Sequence, residues 1–302
     1  MDVVTTLTVL LALPLLLLPY LVFKALRHVK RTIFSENVAG KVILITGASS
    51  GIGEHIAYEY ARKGARLALA ARREDRLQAV ADKARKLGSP DVIAMRTDVS
   101  RIEDCKRFID EAFNHFGRLD HLVNNAGIAP RSMLEDCYDF SSFVPVMDVN
   151  FWGSVRCSQL AVPYLRKNRG KIVVIASIAP WLSTPKLSFY NASKAALISF
   201  YETMRIECGS HIGITIVIPG LIESEITTPD FLSEFGAESA AVESTQVCAK
   251  AIVNSARRGD MYLTVPSGMK VMFLLKTFCP ELLERLFRWH MIDKRRAADK
   301  KA

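Results

Sequence analysis

The stretch Val42-Ile43-Leu44-Ile45-Thr46-Gly47-Ala48-Ser49-Ser50-Gly51-Ile52-Gly53 decides how this chain is built. A run of β-branched and aliphatic residues passes straight into glycines at 47, 51 and 53, and a helical pattern continues through Lys63. A buried strand that turns on glycines into a helix lets the backbone approach a pyrophosphate. The charge of that group is met by the unpaired N–H groups of the first helical turn. Glycine-rich turns are common by themselves, so it is the strand before and the helix after that make this one a dinucleotide-binding candidate.

Working outward, similar short runs recur at Arg66–Ala70, Asp91–Arg96, His121–Asn124, Lys171–Ala176, Ile214–Ile218 and Met261–Val265, separated by stretches of helical character. Strands alternating with helices predict a parallel sheet covered on both faces. The expected fold is therefore α/β, a doubly wound, Rossmann-type sheet of seven parallel strands in a single domain over residues 41–266. With 302 residues, half of them apolar, the chain can bury one large core. The long irregular stretch 221–241 lies beyond the sixth strand, where insertions in such sheets border the ligand, and is the expected substrate lid.

Two appendages flank this domain. Val3 to Phe23 holds no charged residue, and at helical rise 21 residues span about 31 Å, close to a bilayer core. Residues 1–30 are expected to form a hydrophobic membrane anchor with a basic flank, and 31–40 a polar linker. A cleaved signal peptide is the rival reading, but the segment lacks a basic leader and a small-x-small cleavage site. Pro14 and Pro19 interrupt it, so spanning and hairpin insertion both stay open. Lys24, Arg27, Lys30 and Arg31 follow the apolar run, which by the positive-inside rule puts the domain in the cytosol. At the other end, residues 267–302 combine a Met-, Phe-, Leu- and Trp-rich stretch, divided by Pro280, with the basic tail Lys294, Arg295, Arg296, Lys300 and Lys301. Docking on a membrane and packing on the domain or a dimer partner both suit it. Much of the net charge of +9 lies in these flanks, which points to a membrane surface and away from nucleic acid. The six cysteines show no metal or redox spacing, so no metal is expected.

Three further features carry chemistry. The second strand ends Ala70-Ala71-Arg72-Arg73, without the acid that would accept hydrogen bonds from the ribose 2′-hydroxyl of NAD. Guanidinium groups suit a 2′-phosphate, so NADP(H) is the expected cofactor, with Arg72 the stronger candidate; the alternative is a pair of solvated arginines opening a helix. Tyr190-Asn191-Ala192-Ser193-Lys194 puts a phenol and an ammonium four residues apart, on one face of a helix. A nearby cation lowers a phenol's pKa and makes it usable as a general acid or base. Tyr20 and Lys24 share that spacing but lie at the edge of the apolar segment. Tyr190 instead has Ser177 at the end of a buried strand 13 residues upstream, where a hydroxyl could hold a substrate oxygen.

With the motifs Thr46–Gly53, Asp98 in Asp-Val-Ser, Asn124-Asn125-Ala126-Gly127, Asn150, Ser177, Tyr190/Lys194 and Pro219-Gly220, residues 40 to 266 resemble the short-chain dehydrogenase/reductase family. The resemblance implies that Tyr190 is the catalytic acid/base and that Ser177 positions the substrate oxygen. It makes Lys194 the ligand of the nicotinamide ribose and Asn150 the holder of a relay water. Asp98 would contact the adenine and Asn124 would stabilise the sheet beside the cofactor. The implied cofactor contacts also include Gly47, Ser49, Ser50, Gly51, Ile52, Gly53, Arg72, Arg73, Ala126, Gly127, Pro219, Gly220 and Ile222. Ser224 stands where the family often has a threonine. Within the family, the anchor and the Ala-Arg-Arg-Glu-Asp segment resemble plant steroleosins, the 11β-hydroxysteroid dehydrogenase-like proteins of oil bodies. That likeness implies a hydrophobic, steroid- or sterol-like substrate, residence on lipid droplets or the endoplasmic reticulum, and a homodimer. A non-steroid lipid or terpenoid substrate stays open, as does a non-catalytic role at a lipid-droplet surface.

Overall fold

The computed structural model describes residues 3–237 and 240–293. All seven expected strands form, each end within one residue of its expected place: β1 (Val42–Thr46), β2 (Arg66–Ala71), β3 (Val92–Arg96), β4 (His121–Asn124), β5 (Lys171–Ile175), β6 (Gly213–Pro219) and β7 (Tyr262–Val265). They make one parallel sheet in the order β3-β2-β1-β4-β5-β6-β7. The chain winds outward from β1 in one direction and from β4 in the other, so a crevice opens between the carboxyl ends of these two strands.

Alternation along the strands divides the core into two layers. Ile43, Ile45, Leu67 and Leu69 pack under the helices Gly51–Ala61, Glu74–Lys86 and Thr245–Arg258. Val42, Leu44, Ala68 and Ala70 face the helices Ile102–Phe116, Gly153–Lys167 and Ser188–Cys208. Every residue of β1 and β4 is buried, and burial of each Leu or Ile contributes about 2 kcal/mol. The site is thus mounted on the best-packed part of the sheet.

The stretch expected as an irregular lid contains a short helix, Pro229–Glu234, capped by the Thr228 hydroxyl (3.1 Å to the Phe231 amide). After β7 come the α-helices Lys270–Phe278 and Pro280–Arg288, preceded by the 3-10 turn Ser267–Met269 and followed by the π-helical turn Trp289–Asp293. The expected basic tail at 294–302 lies outside the described residues. At the other end, Val3–Ile33 is helical, and the side chains of 1–14, 16, 27 and 28, about half of the expected anchor, also lie outside them. Among the described residues no helix is long and apolar enough to cross a membrane.

At the amino ends of the strands, the linker is tied down by Glu36. Its carboxylate meets His121 Nε2 (3.1 Å), Lys171 Nζ and Lys41 Nζ, while Arg257 Nε donates to its carbonyl (2.7 Å). His121, fully buried, is bonded on its other nitrogen to the Tyr60 hydroxyl (2.9 Å).

Candidate active site

Gly47 turns the chain out of β1 at φ +65, and a Cβ there would lie 2.7 Å from the Ala126 Cα. A Cβ on Gly53 would meet the Gly47 carbonyl oxygen at 2.4 Å. Only glycine permits this closure. The turn is then pinned by a residue the motif reading gave no separate role. Asn125 Nδ2 donates to the carbonyls of Thr46 and Gly47 (both 3.0 Å), and the Thr46 hydroxyl accepts the amides of Asn125 and Ala126 (3.1 and 3.2 Å). The doubled asparagine was the available signal. Ser50 precedes the helix Gly51–Ala61 without capping it, which leaves first-turn N–H donors facing the cleft. This cradle fits a dinucleotide.

The cleft is a cavity of about 1050 Å³ that runs from this turn, past Arg72, Arg73 and Asp98, to Ser177, Tyr190 and Lys194, and on to Phe231, Phe235, Met269, Phe287 and Met291. Ile52, Ala126, Gly127, Pro219, Gly220, Ile222 and Ser224 also line it. Asp98 Oδ1 accepts from the amide and hydroxyl of Ser100 (3.0 and 2.7 Å). Ser224 Oγ turns toward its own loop and accepts from the amide of Ile226 (3.3 Å).

Asn124 and Asn150 lie behind the cavity wall. Asn124 Nδ2 donates to Ser158 Oγ (2.8 Å) and to the Tyr201 hydroxyl (3.1 Å), so it ties β4 to the helices behind it; it supports the sheet, and Asn125 faces the cleft instead. Asn150 sits in a π-helical turn, Asp148–Trp152, with its Oδ1 accepting from the Ile128 amide (2.8 Å) and its Nδ2 donating to the Ile128 carbonyl and to Ser193 Oγ (both 3.0 Å).

Tyr190 and Lys194 fall one turn apart on the helix Ser188–Cys208, as the spacing predicts. The Ser177 hydroxyl adjoins that of Tyr190 closely enough to act on its pKa, and its own oxygen accepts from the Ala179 amide (3.1 Å). Lys194 is buried, and its Nζ donates to the Ile175 carbonyl (2.7 Å) while lying 5.8 Å from the Tyr190 ring centre. One expectation is corrected here. Lys194 does not bring the Tyr190 pKa down in the protein by itself: burial raises it, and the Ser177 hydroxyl opposes that rise. Burial also lowers the ammonium of Lys194 to about 8, since no carboxylate among the described residues offsets its loss of water. A phenol, a hydroxyl and an ammonium around the middle of the cavity can hold an oxygen and exchange a proton with it.

The geometry has close parallels. A family model described as short chain dehydrogenase matches residues 41–234. The chain belongs to the short-chain dehydrogenase family. It is 53% identical over 307 residues to 11-beta-hydroxysteroid dehydrogenase A of Arachis hypogaea, covering 95% of this chain and 88% of that one. It is likewise 53% identical to 11-beta-hydroxysteroid dehydrogenase-like 4A of Arabidopsis thaliana, covering 89% of this chain and 91% of the relative. A short-chain dehydrogenase/reductase from Burkholderia phymatum, solved in complex with NAD, superposes with a TM-score of 0.73 at 26% identity, over 82% of this chain and 96% of that one. This short-chain dehydrogenase is accordingly an oxidoreductase of CH–OH groups that uses a nicotinamide cofactor.

Proposed function

We propose that this enzyme uses NADP(H) to interconvert a hydroxyl and a ketone on a hydrophobic, steroid- or sterol-like molecule. The observation that carries the reading is the continuity of the cleft, with arginines at one end, Tyr190 and Ser177 in the middle, and Phe231, Phe235, Met269, Phe287 and Met291 at the other. When bound, the nicotinamide supplies or accepts the hydride. Ser177 holds the reacting oxygen, and Tyr190 gives it a proton during reduction and takes one during oxidation. Lys194, charged below about pH 8, binds the nicotinamide ribose and favours the phenolate once the site is filled. Asn150, fastened to Ile128 and Ser193, keeps the neighbouring backbone and helix in register.

NADP(H) is favoured because Arg72 and Arg73 line the cleft where an acid would serve NAD. Arg72 is exposed there, without a polar partner among the described residues. The steroid-like substrate is supported by the apolar end of the cleft and by the relatives being named hydroxysteroid dehydrogenases or dehydrogenase-like proteins. Lipid-droplet or endoplasmic reticulum residence, with the domain on the cytosolic side, is supported by the helix Val3–Ile33. There Leu15, Leu18, Phe23 and Leu26 are all more than half exposed among the described residues.

Steady-state assays with NADPH and NADH against a panel of steroid, terpenoid and fatty ketones test this reading. NADPH is expected to be used more efficiently, and Arg72→Ala with Arg73→Ala should cut the NADPH/NADH preference roughly tenfold or more. Equal efficiency with both cofactors would refute the cofactor assignment, and turnover confined to non-steroid ketones would refute the substrate class.

A further inference from the structure

The lid meets the arginine end of the cleft at Ser224 and Glu225. A Cβ on Gly51 would touch Ser224 at 3.6 Å, so the lid lies against the glycine turn at this point. The next residue, Glu225, spreads its carboxylate over three partners. Oε1 accepts from Arg73 Nη1 (2.9 Å) and from Arg76 Nη1, while Oε2 accepts from Ser50 Oγ (2.9 Å) and lies 2.8 Å from Arg73 Nη2. Arg73 is itself steadied by Ser49 and Ser50, with Nη2 donating to Ser50 Oγ at 2.6 Å. Although Glu225 is half exposed, its bond to Arg73, followed by those to Ser50 and Arg76, holds its carboxyl at about 2, so it is ionised at any physiological pH.

Two guanidinium groups and a hydroxyl converging on one oxyanion form a set of donors that would bind a phosphate monoester equally well. In the protein alone that set is filled by the lid's own carboxylate.

We propose that Glu225 is a specificity-determining residue whose carboxylate occupies donors claimed by the 2′-phosphate of NADP(H), so that the phosphate must displace it and thereby frees this edge of the lid. The proposal rests on the NADP(H) reading above and adds what that reading lacks, an internal competitor. A dinucleotide without the phosphate leaves the latch closed. A phosphorylated one binds with an affinity reduced by the fraction of molecules in which the latch is shut. The far end of the lid stays fastened through Glu234, which pairs with Arg131 (2.7 Å) and Lys186 (2.8 Å), so release at Glu225 opens the cofactor side alone.

Calorimetric titration of the full chain with 2′,5′-ADP and with 5′-AMP tests this without any turnover. Glu225→Gln should bind 2′,5′-ADP roughly three- to tenfold more tightly than the unaltered protein, the size expected for removing a half-exposed carboxylate from two guanidinium groups. Its affinity for 5′-AMP should stay within about twofold. Glu74→Gln removes an exposed charge beside Arg73 that takes no part in the latch, and should leave both affinities within about twofold. An unaltered protein that prefers 2′,5′-ADP, with Glu225→Gln showing no gain or Glu74→Gln showing the same gain, would overturn the latch alone. Equal affinity of the unaltered protein for the two nucleotides would overturn the NADP(H) reading and the latch with it.

Discussion

The two ends of the sheet treat buried ionisable groups in opposite ways. At the amino ends, Glu36, His121, Lys171, Lys41 and Tyr60 form a closed network. Burial by itself would raise the Glu36 carboxyl, but its bonds to His121, Lys171 and Lys41 outweigh that and hold it well below the usual carboxylate range. Burial lowers His121, so at neutral pH the ring contributes a hydrogen bond to the network. Lys171 also donates to the carbonyls of Ala256 (2.7 Å) and Arg257 (3.1 Å). At the carboxyl ends, among the described residues, Lys194 donates to one carbonyl and Tyr190 has the Ser177 hydroxyl beside it, and both face the cleft. A displaced proton affinity therefore marks chemistry only where a cavity adjoins it; at the other end it marks a fastening. None of the five residues of the lower network lines the cleft.

That contrast can be broken by exchange. The largest expected effect is at the upper end: Tyr190→Phe should lower turnover about a thousandfold while leaving the thermal unfolding midpoint almost unmoved. A Tyr190→Phe enzyme with normal rates would remove the assigned proton donor. At the lower end the signs reverse. Glu36→Ala strands His121 and Lys171 without their acid and should cost about 3 kcal/mol in urea unfolding, while turnover per folded molecule holds. A fall in turnover without a loss of stability would show that the two ends are not separate in function.

The pH dependences should differ as well. Glu36 and His121 both bind protons more weakly when folded than their ordinary values of 4.5 and 6.5. Their contributions are therefore full above those values and are lost as the pH falls, so stability should begin to decline below about pH 6.5, as circular dichroism melts would report. Activity should decline on the other side. Lys194 loses its proton near pH 8, so carbonyl reduction should fall roughly several-fold through the following unit. Lys194→Arg, which keeps its charge, should flatten that fall even if its rate is lower. A flat profile in the unaltered enzyme would mean that the Lys194 charge is not used.

Much of the fold was legible because its signals are local. Period, β-branching and glycine punctuation placed all seven strands to within a residue. The pairing of Tyr190 with Lys194 needed only the helical repeat, and the glycine turn only its neighbours on either side. The site's supports were not legible in this way. Asn124 and Asn125 adjoin in sequence, yet one holds the helices behind the sheet and the other pins the turn, because successive residues leaving a strand point to opposite sides. No local pattern links Glu225 to Arg73, 152 residues away, or Glu36 to His121, 85 residues away.

The sequence by itself determined the order of strands and helices, the glycine turn, the absence of an acid after β2, and the phenol and ammonium on one helical face, since each depends on residues within a few positions of one another. Only the tertiary structure decided which charged groups became fastenings and which came to line a cavity. It also decided the direction of the Tyr190 shift, where local spacing pointed to a cation lowering the pKa and burial raised it instead. The loss of water around a side chain is set by everything packed on it, and that packing comes from parts of the chain far apart in sequence.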